Sequence, residues 1–347
     1  MRALALTQLG GPVHLAVLEL AEPPPPLADE VLVRVRCAAL NHLDLFLTEG
    51  VKGITLRSPH IVVTDGAGVV AAVGSAVTSV RRGDRVAINP GISCGHCPLC
   101  ERGEEPFCRE FEILGEHRPG TVTESLLVPE RNVEKIPDEM PWPVAAALPL
   151  STLTAWRMLK TRAALKPGES VLIWGAGGGI SLASLKIAKL LGARVIMTGS
   201  SDEKLARARE IGADVVFNHR SRSPEEIARD VRKLTGAGVD VVVDSVGEKT
   251  WDASLRALRP GGRLVSCGAT SGPEVGIDVR RLFWFQWSLL GSTMGTRQEF
   301  SEVMAHARAG RLWPVVDSVV PLEQGRHAYE RMSRGEQFGK LVIEVSR

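Results

Sequence analysis

SVLIWGAGGGISLASLKIAKLLGA, residues 170–193, passes from a continuous apolar run through a glycine turn into an amphipathic pattern of helical period. A short run bounded by glycine reads as a strand buried on both faces, and the period of 3.6 after it reads as a helix. Downstream the alternation continues: ARVIMTGS, ADVVFNH, VDVVVDSVG, GRLVSCGAT and WSLLGSTMG are further strand candidates. Between them lie DEKLARAREIG, PEEIARDVRKLTG, KTWDASLRALRPG and the shorter VRRLFWFQ, which read as helices. Strand and helix repeating in this way predict an α/β domain, a Rossmann-type doubly wound parallel sheet over residues 151–297.

A glycine turn between strand and helix is the context of a dinucleotide fingerprint. Glycine lets the backbone approach a pyrophosphate, and the helix N-terminus supplies N–H donors and a positive dipole end. Gly177, Gly178, Gly179 and Ile180 are therefore candidate cofactor contacts. An acid closing the second strand would bind the ribose hydroxyls of NAD. Gly199 stands at that place, followed by Ser200, Ser201 and Lys204, which leaves room and donors for a 2′-phosphate. NADP(H) is the expectation over NAD(H), with His219 and Arg220 flanking the same phosphate. A serine there is also a natural cap for the next helix.

Residues 1–150 have another texture, with short apolar runs such as VLVRVRCAAL and RRGDRVAI separated by Gly, Pro and Asp, and read as a β-rich domain. Residues 298–347 end on a strand, GKLVIEV, which suits the first domain better than another βα unit. The net charge of +2, with acids and bases interleaved, argues against nucleic acid or a membrane as partner. The N-terminus breaks at Gly10, Gly11 and Pro12 before any long apolar stretch, so a cytoplasmic protein is expected. In a reducing compartment, clustered cysteines are metal ligands more often than disulfides. Four of the six cysteines fall within CGHCPLCERGEEPFC: Cys94, Cys97, Cys100 and Cys108. Four thiolates fill a tetrahedral zinc shell and leave no place for substrate, although an iron–sulfur cluster takes the same ligand set. The remaining two, Cys37 and Cys267, read as buried fillers.

Taken together with LNHLDLFLTEG, VTDGAGVVAAVG, PLSTLTAWRML and FGKLVIEV, these features resemble the medium-chain dehydrogenase/reductase superfamily, the group of zinc alcohol dehydrogenases and zinc-free quinone reductases. The resemblance implies a GroES-like catalytic domain over 1–150 with a structural zinc lobe near 92–110. It further implies a nucleotide-binding domain, a C-terminal segment returning to the first domain, and a homodimer or homotetramer joined through the edge strand SLLGSTMG. The four cysteines match the family's structural zinc lobe. At the positions where family enzymes hold a catalytic zinc, the chain has Asn41, Thr64 and Leu150, and Leu43 replaces the hydroxyl of the usual proton relay.

Loss of these groups together predicts chemistry that needs no alkoxide. The expected activity is hydride transfer from NADPH to a quinone, enone or related small-molecule carbonyl, with one structural zinc only. Asn41, His42, Asp44 and Asp65 are the candidate catalytic residues; an Asn tying down a loop and a structural His are the plainer alternatives. A zinc alcohol dehydrogenase using substitute ligands, for instance His42, Asp65 and His117, is the rival reading. A non-catalytic NADP(H)-binding sensor is the third.

Overall fold

The structure, a computed structural model, describes residues 1–346. The chain forms two compact units, one built from residues 1–153 with everything from Met294 onward, the other from Thr154–Thr293. No helix among the described residues is long and apolar enough to cross a membrane.

Among the described residues the first unit carries a seven-stranded sheet, in the order Val133–Lys135, Arg85–Ile88, Asp65–Val73, Glu30–Ala39, Lys340–Glu344, Val316–Pro321, with Ser125–Pro129 also pairing Glu30–Ala39. Along Glu30–Ala39 the residues Val31, Val33 and Val35 are buried at alternate positions, as a strand with one face on the core requires. They join Leu4, Val70, Val86, Ile88, Tyr329 and Ile343 in one apolar cluster. The last strand, Lys340–Glu344, runs antiparallel to Glu30–Ala39 with Val342 opposite Ala39 and Ile343 opposite Ala38. The Leu40 N–H donates to the Leu341 carbonyl at 2.9 Å. Extending this register by one more residue puts Lys340 beside Asn41, so the chain's end supplies a side chain to a site begun near its start.

PVAAALPLSTLTAWRMLK, helical by period, is broken by Pro149 into Trp142–Ala147 and Pro149–Trp156, followed by a π-helical turn at Arg157–Arg162. Proline has no N–H to continue a helix but suits its first position. The break leaves the Leu150 N–H at a helix N-terminus without an intrahelical acceptor.

In the second unit the described strands form a six-stranded parallel sheet in the order Val215–Asn218, Arg194–Gly199, Ser170–Ala176, Val239–Val243, Leu258–Ser266, Ser288–Gly291. The strand order in space reverses between Ser170–Ala176 and Val239–Val243, the place where doubly wound sheets hold their ligands. The inner strands Arg194–Gly199 and Val239–Val243 carry Val and Ile and are buried along most of their length. The helices that cover them are amphipathic: in Pro224–Thr235 the buried side chains are Ile227, Ala228 and Val231, and Ser223 with Glu226 closes a capping box at the start.

Candidate active site

Asp65 opens the strand Asp65–Val73 and is wholly shielded from solvent. Its placement begins with Val63, which holds φ at +76°, a conformation costly for a β-branched residue. Thr121 maintains it: its main-chain N–H donates to the Val63 carbonyl at 2.8 Å, and its hydroxyl donates to the Val63 and Asp65 carbonyls at 3.2 and 2.7 Å. The backbone turned in this way directs three groups onto the Asp65 carboxylate. The Leu150 N–H donates to Oδ1 at 2.8 Å, Asn41 Nδ2 donates to Oδ2 at 2.9 Å, and Lys340 Nζ donates to Oδ2 at 2.9 Å.

Lys340 is 3% exposed and also donates to Asn41 Oδ1. The second N–H of Asn41 Nδ2 goes to Thr64 Oγ1 at 2.8 Å. An ion pair this dry needs such a set of hydrogen bonds, because its mutual attraction alone does not repay desolvation of both charges. The helix beginning at Pro149 adds its positive end. Asn41, Thr64, Asp65 and Leu150 are thus brought together, but Leu150 contributes its main-chain N–H and Asn41 has both amide donors engaged within the protein.

Asp44 caps the start of the helix His42–Glu49: its Oδ2 accepts the Asn41 N–H at 2.6 Å. Burial pushes its pKa up to about 7, opposed by that hydrogen bond and by the Lys340 ammonium. Its other oxygen has no partner, and neither has the buried hydroxyl of Tyr329, whose pKa is raised well above the usual value by burial and then by Asp44. His42 presents its ring at the surface of the same helix; desolvation, then the Lys340 ammonium, lowers its pKa. His117 lies apart, its Nδ1 accepting the Ile113 N–H at 3.1 Å. Among the described residues His42, Asp65 and His117 do not form a ligand group; the sets close enough to hold a metal both contain Cys94.

Lys340 and Tyr329 were not singled out by the sequence. Lys340 lies within FGKLVIEV, but a lysine opening a strand carries no signal of burial, and its partners are 275 and 299 residues away.

The cysteine lobe is compact. Sγ separations are 3.5 Å for Cys97–Cys100, 3.6 Å for Cys94–Cys108, 3.8 Å for Cys94–Cys100 and 3.9 Å for Cys97–Cys108. A tetrahedral ZnS₄ centre with its usual bond length has sulfur–sulfur edges of about 3.8 Å. The four thiols fit zinc, and their closed shell fits a structural role. The smaller group of Cys94 with His96 and Glu110 is less shielded. Cys37 is buried in a strand, and burial pushes its thiol up to about 12. Cys267 has the same shift from the same cause but stays partly accessible.

In the second unit Gly177 has φ of +127° and Gly178 precedes the helix Gly179–Leu190 with no capping side chain. Ser181 pins the turn by donating from its hydroxyl to the Gly175 and Gly178 carbonyls at 2.6 and 2.9 Å. The first N–H groups of the helix, including those of Gly179 and Ile180, are left for a ligand, which is how such a turn receives a pyrophosphate. Gly199 ends the second strand, where an added Cβ would lie 2.7 Å from Leu205 Cδ2. Its smallness therefore has a packing cause as well. Ser201, not Ser200, caps the next helix, accepting the Lys204 N–H at 3.3 Å. His219 Nδ1 lies 3.3 Å from Thr198 Oγ1, which accepts the Gly175 N–H. Desolvation first, then the charges of Arg220 and Lys204, lower the His219 pKa. Trp287 and Phe285 stack and pack on the sheet, whereas Trp284 is 77% exposed.

Residues 27–138 match the alcohol dehydrogenase GroES-like domain, and residues 179–309 match the zinc-binding dehydrogenase family. An alcohol dehydrogenase of Geobacillus stearothermophilus is 30% identical over 99% of this chain and 100% of its own length. A crystal structure of an NAD-dependent alcohol dehydrogenase is 42% identical, covers 100% of both chains and superposes with a TM-score of 0.95. A crotonyl-CoA carboxylase/reductase structure is 26% identical over 99% of this chain and 88% of its own, with a TM-score of 0.89. The chain belongs to the medium-chain dehydrogenase/reductase superfamily, zinc-type, and is a nicotinamide-dependent oxidoreductase of that group.

Proposed function

We propose that the chain reduces quinones, enones or related activated carbonyls with NADPH, and that it holds one structural zinc and no catalytic one. The observation that carries this reading is the Lys340 ammonium, bonded to Asn41 and Asp65 among the positions that would ligate a catalytic zinc. A second cation placed there would meet the first. Asn41 offers an amide, Thr64 a hydroxyl and Leu150 no side-chain donor at all, which is a poor set for zinc.

The bound nicotinamide supplies a hydride. Gly177, Gly178, Gly179 and Ile180 would hold its pyrophosphate, and Ser200, Lys204, His219 and Arg220 would favour a 2′-phosphate. Ser201 and Gly199 shape that corner. Asn41 and Asp44 act as positioning residues, and His42 as a contact for the cofactor or substrate. That the crotonyl-CoA relative is named a reductase is consistent with conjugated carbonyl substrates, while the relatives named alcohol dehydrogenases make alcohol oxidation the competing outcome. A homodimer or homotetramer is the proposed assembly.

Metal analysis of the purified protein should find one zinc per subunit. NADPH should be oxidised against an enone and quinone panel with higher kcat/KM than NADH. Two zinc ions per subunit, with alcohol oxidation abolished by chelation, would establish the alcohol dehydrogenase reading instead.

A further inference from the structure

A closed shell of four thiolates has no open position, so a metal held by Cys94, Cys97, Cys100 and Cys108 has no vacant place through which to enter or leave. Beside that shell the chain places a second group. One ligand atom each from Cys94, His96 and Glu110 lie within 4.8 Å of one another, and Cys94 belongs to both sets. Cys108 is buried and the other three cysteines are half-buried, whereas His96 and Glu110 are exposed. The His96 ring is already set for a metal. Its Nδ1 lies 3.0 Å from the Cys94 carbonyl oxygen, which can only accept, so Nδ1 carries the hydrogen and Nε2 keeps the lone pair. Ligating histidines are oriented in this way, by giving their other N–H to a carbonyl or a carboxylate. The Glu110 carboxylate is engaged by no side chain among the described residues.

We propose that Cys94, His96 and Glu110 form a transit site for zinc, where Zn²⁺ lands before it reaches the four-cysteine shell and to which it returns before release. This rests on the structural-zinc reading above. A sulfur, an imidazole nitrogen and a carboxylate oxygen are a zinc donor set, and three ligands leave a fourth position open to water. Two of the three sit on exposed side chains that lose freedom on binding, so the hold is weaker than that of four thiolates. A weak and open site suits passage rather than storage. On the way in, the bonds from zinc to His96 Nε2 and the Glu110 carboxylate break as bonds to Cys97, Cys100 and Cys108 form. Each thiol that joins gives its proton to solvent, Cys94 stays bound throughout, and no electrons are transferred. Release is the same path reversed, with the protons taken back.

The test follows zinc leaving the intact protein into the chelator pyridylazoresorcinol, whose absorbance reports each ion captured. His96→Ala combined with Glu110→Ala should slow release by about tenfold, the low end of what groups beside a metal shell contribute. Zinc content should stay at one per subunit and zinc affinity, measured by equilibrium competition, should be unchanged, because the route is removed and the end state is not. Glu101→Ala, which removes an exposed carboxylate of the lobe outside the group, should release zinc at the unaltered rate. A double variant that releases zinc as fast as the unaltered protein overturns the proposal. So does one that releases it faster, because His96 and Glu110 then only brace the lobe. Equal slowing by Glu101→Ala also overturns it, since surface charge alone is then at work. If the unaltered protein binds no zinc at the four cysteines, the structural-zinc reading itself falls and the transit site falls with it.

Discussion

Asp44 and Asp65 are both buried carboxylates in one network, and the environment treats them differently. Asp65 receives an ammonium and two N–H groups, one from a helix N-terminus. Asp44 receives the Asn41 N–H on one oxygen, while the other has no partner. Burial therefore dominates at Asp44 and its proton stays on up to about pH 7. In the unfolded chain that carboxyl ionises near its ordinary value of 3.8. Between those two values the unfolded state binds fewer protons than the folded one, so raising the pH favours unfolding. Across this window Asp44 costs stability as pH rises, reaching its full effect above about 7. Asp44→Asn keeps an acceptor for the Asn41 N–H and has no proton to lose. Urea midpoints at pH 5 and pH 8 should fall more between the two pH values for the unaltered protein than for the variant; parallel changes in the two proteins would refute the assignment.

At the scale of elements, much of the fold could be read from periodicity. The strand SVLIWGA, the glycine turn and the helix after it appear in the structure as Ser170–Ala176 and Gly179–Leu190, because a central parallel strand must be apolar on both faces. What period could not give was the break at Pro149. An apolar helical stretch looks continuous until a missing N–H divides it, and that division delivers the Leu150 N–H to Asp65. The cysteine lobe was legible for another reason, since four ligands lie within fifteen residues and need no distant partner. Around it the elements are short: Gly91–Ile92, Pro98–Glu101, Glu105–Phe107 and Glu112–Ile113. Pieces of two to four residues cannot hold a loop by packing, so the metal should supply that stability. Cys100→Ser should lower zinc to well below one per subunit and open protease cleavage within residues 94–113, with a thermal midpoint reduced by several degrees. Unchanged proteolysis after verified zinc loss would show that the lobe does not depend on its metal.

On the scale of the molecule, the site was least legible where it depended on chain ends meeting. Asn41 and Lys340 are joined only because Lys340–Glu344 pairs with Glu30–Ala39 in one register, and a slip of one residue would turn the lysine to the other face. The closing strand could be assigned to the first unit from its pattern. Its register could not, because register is set by a core assembled from distant parts of the chain.

The sheet of the second unit ends on the edge strand Ser288–Gly291. Ser288–Gly291 pairs with Leu258–Ser266 on one side and with no other described strand. Leu289 packs on the sheet's apolar cluster, so by alternation Leu290 lies on the other face. Before it, the helix Val279–Phe285 exposes Val279, Phe283 and Trp284, at 61%, 65% and 77%. A short free edge beside such apolar side chains is a surface that native proteins cover with charge or a partner. No Lys, Arg, Asp or Glu stands in SLLG, and a second copy of the same edge would extend the sheet across a twofold axis. Leu290→Lys adds a charge at the edge without touching the residues assigned to cofactor or substrate. Light scattering should give the mass of a dimer or tetramer for the unaltered chain and a lower assembly for Leu290→Lys, with zinc content unchanged. If both run at the same multiple of the single-chain mass, the edge is not the assembly surface, and the exposed helix must be covered in some other way.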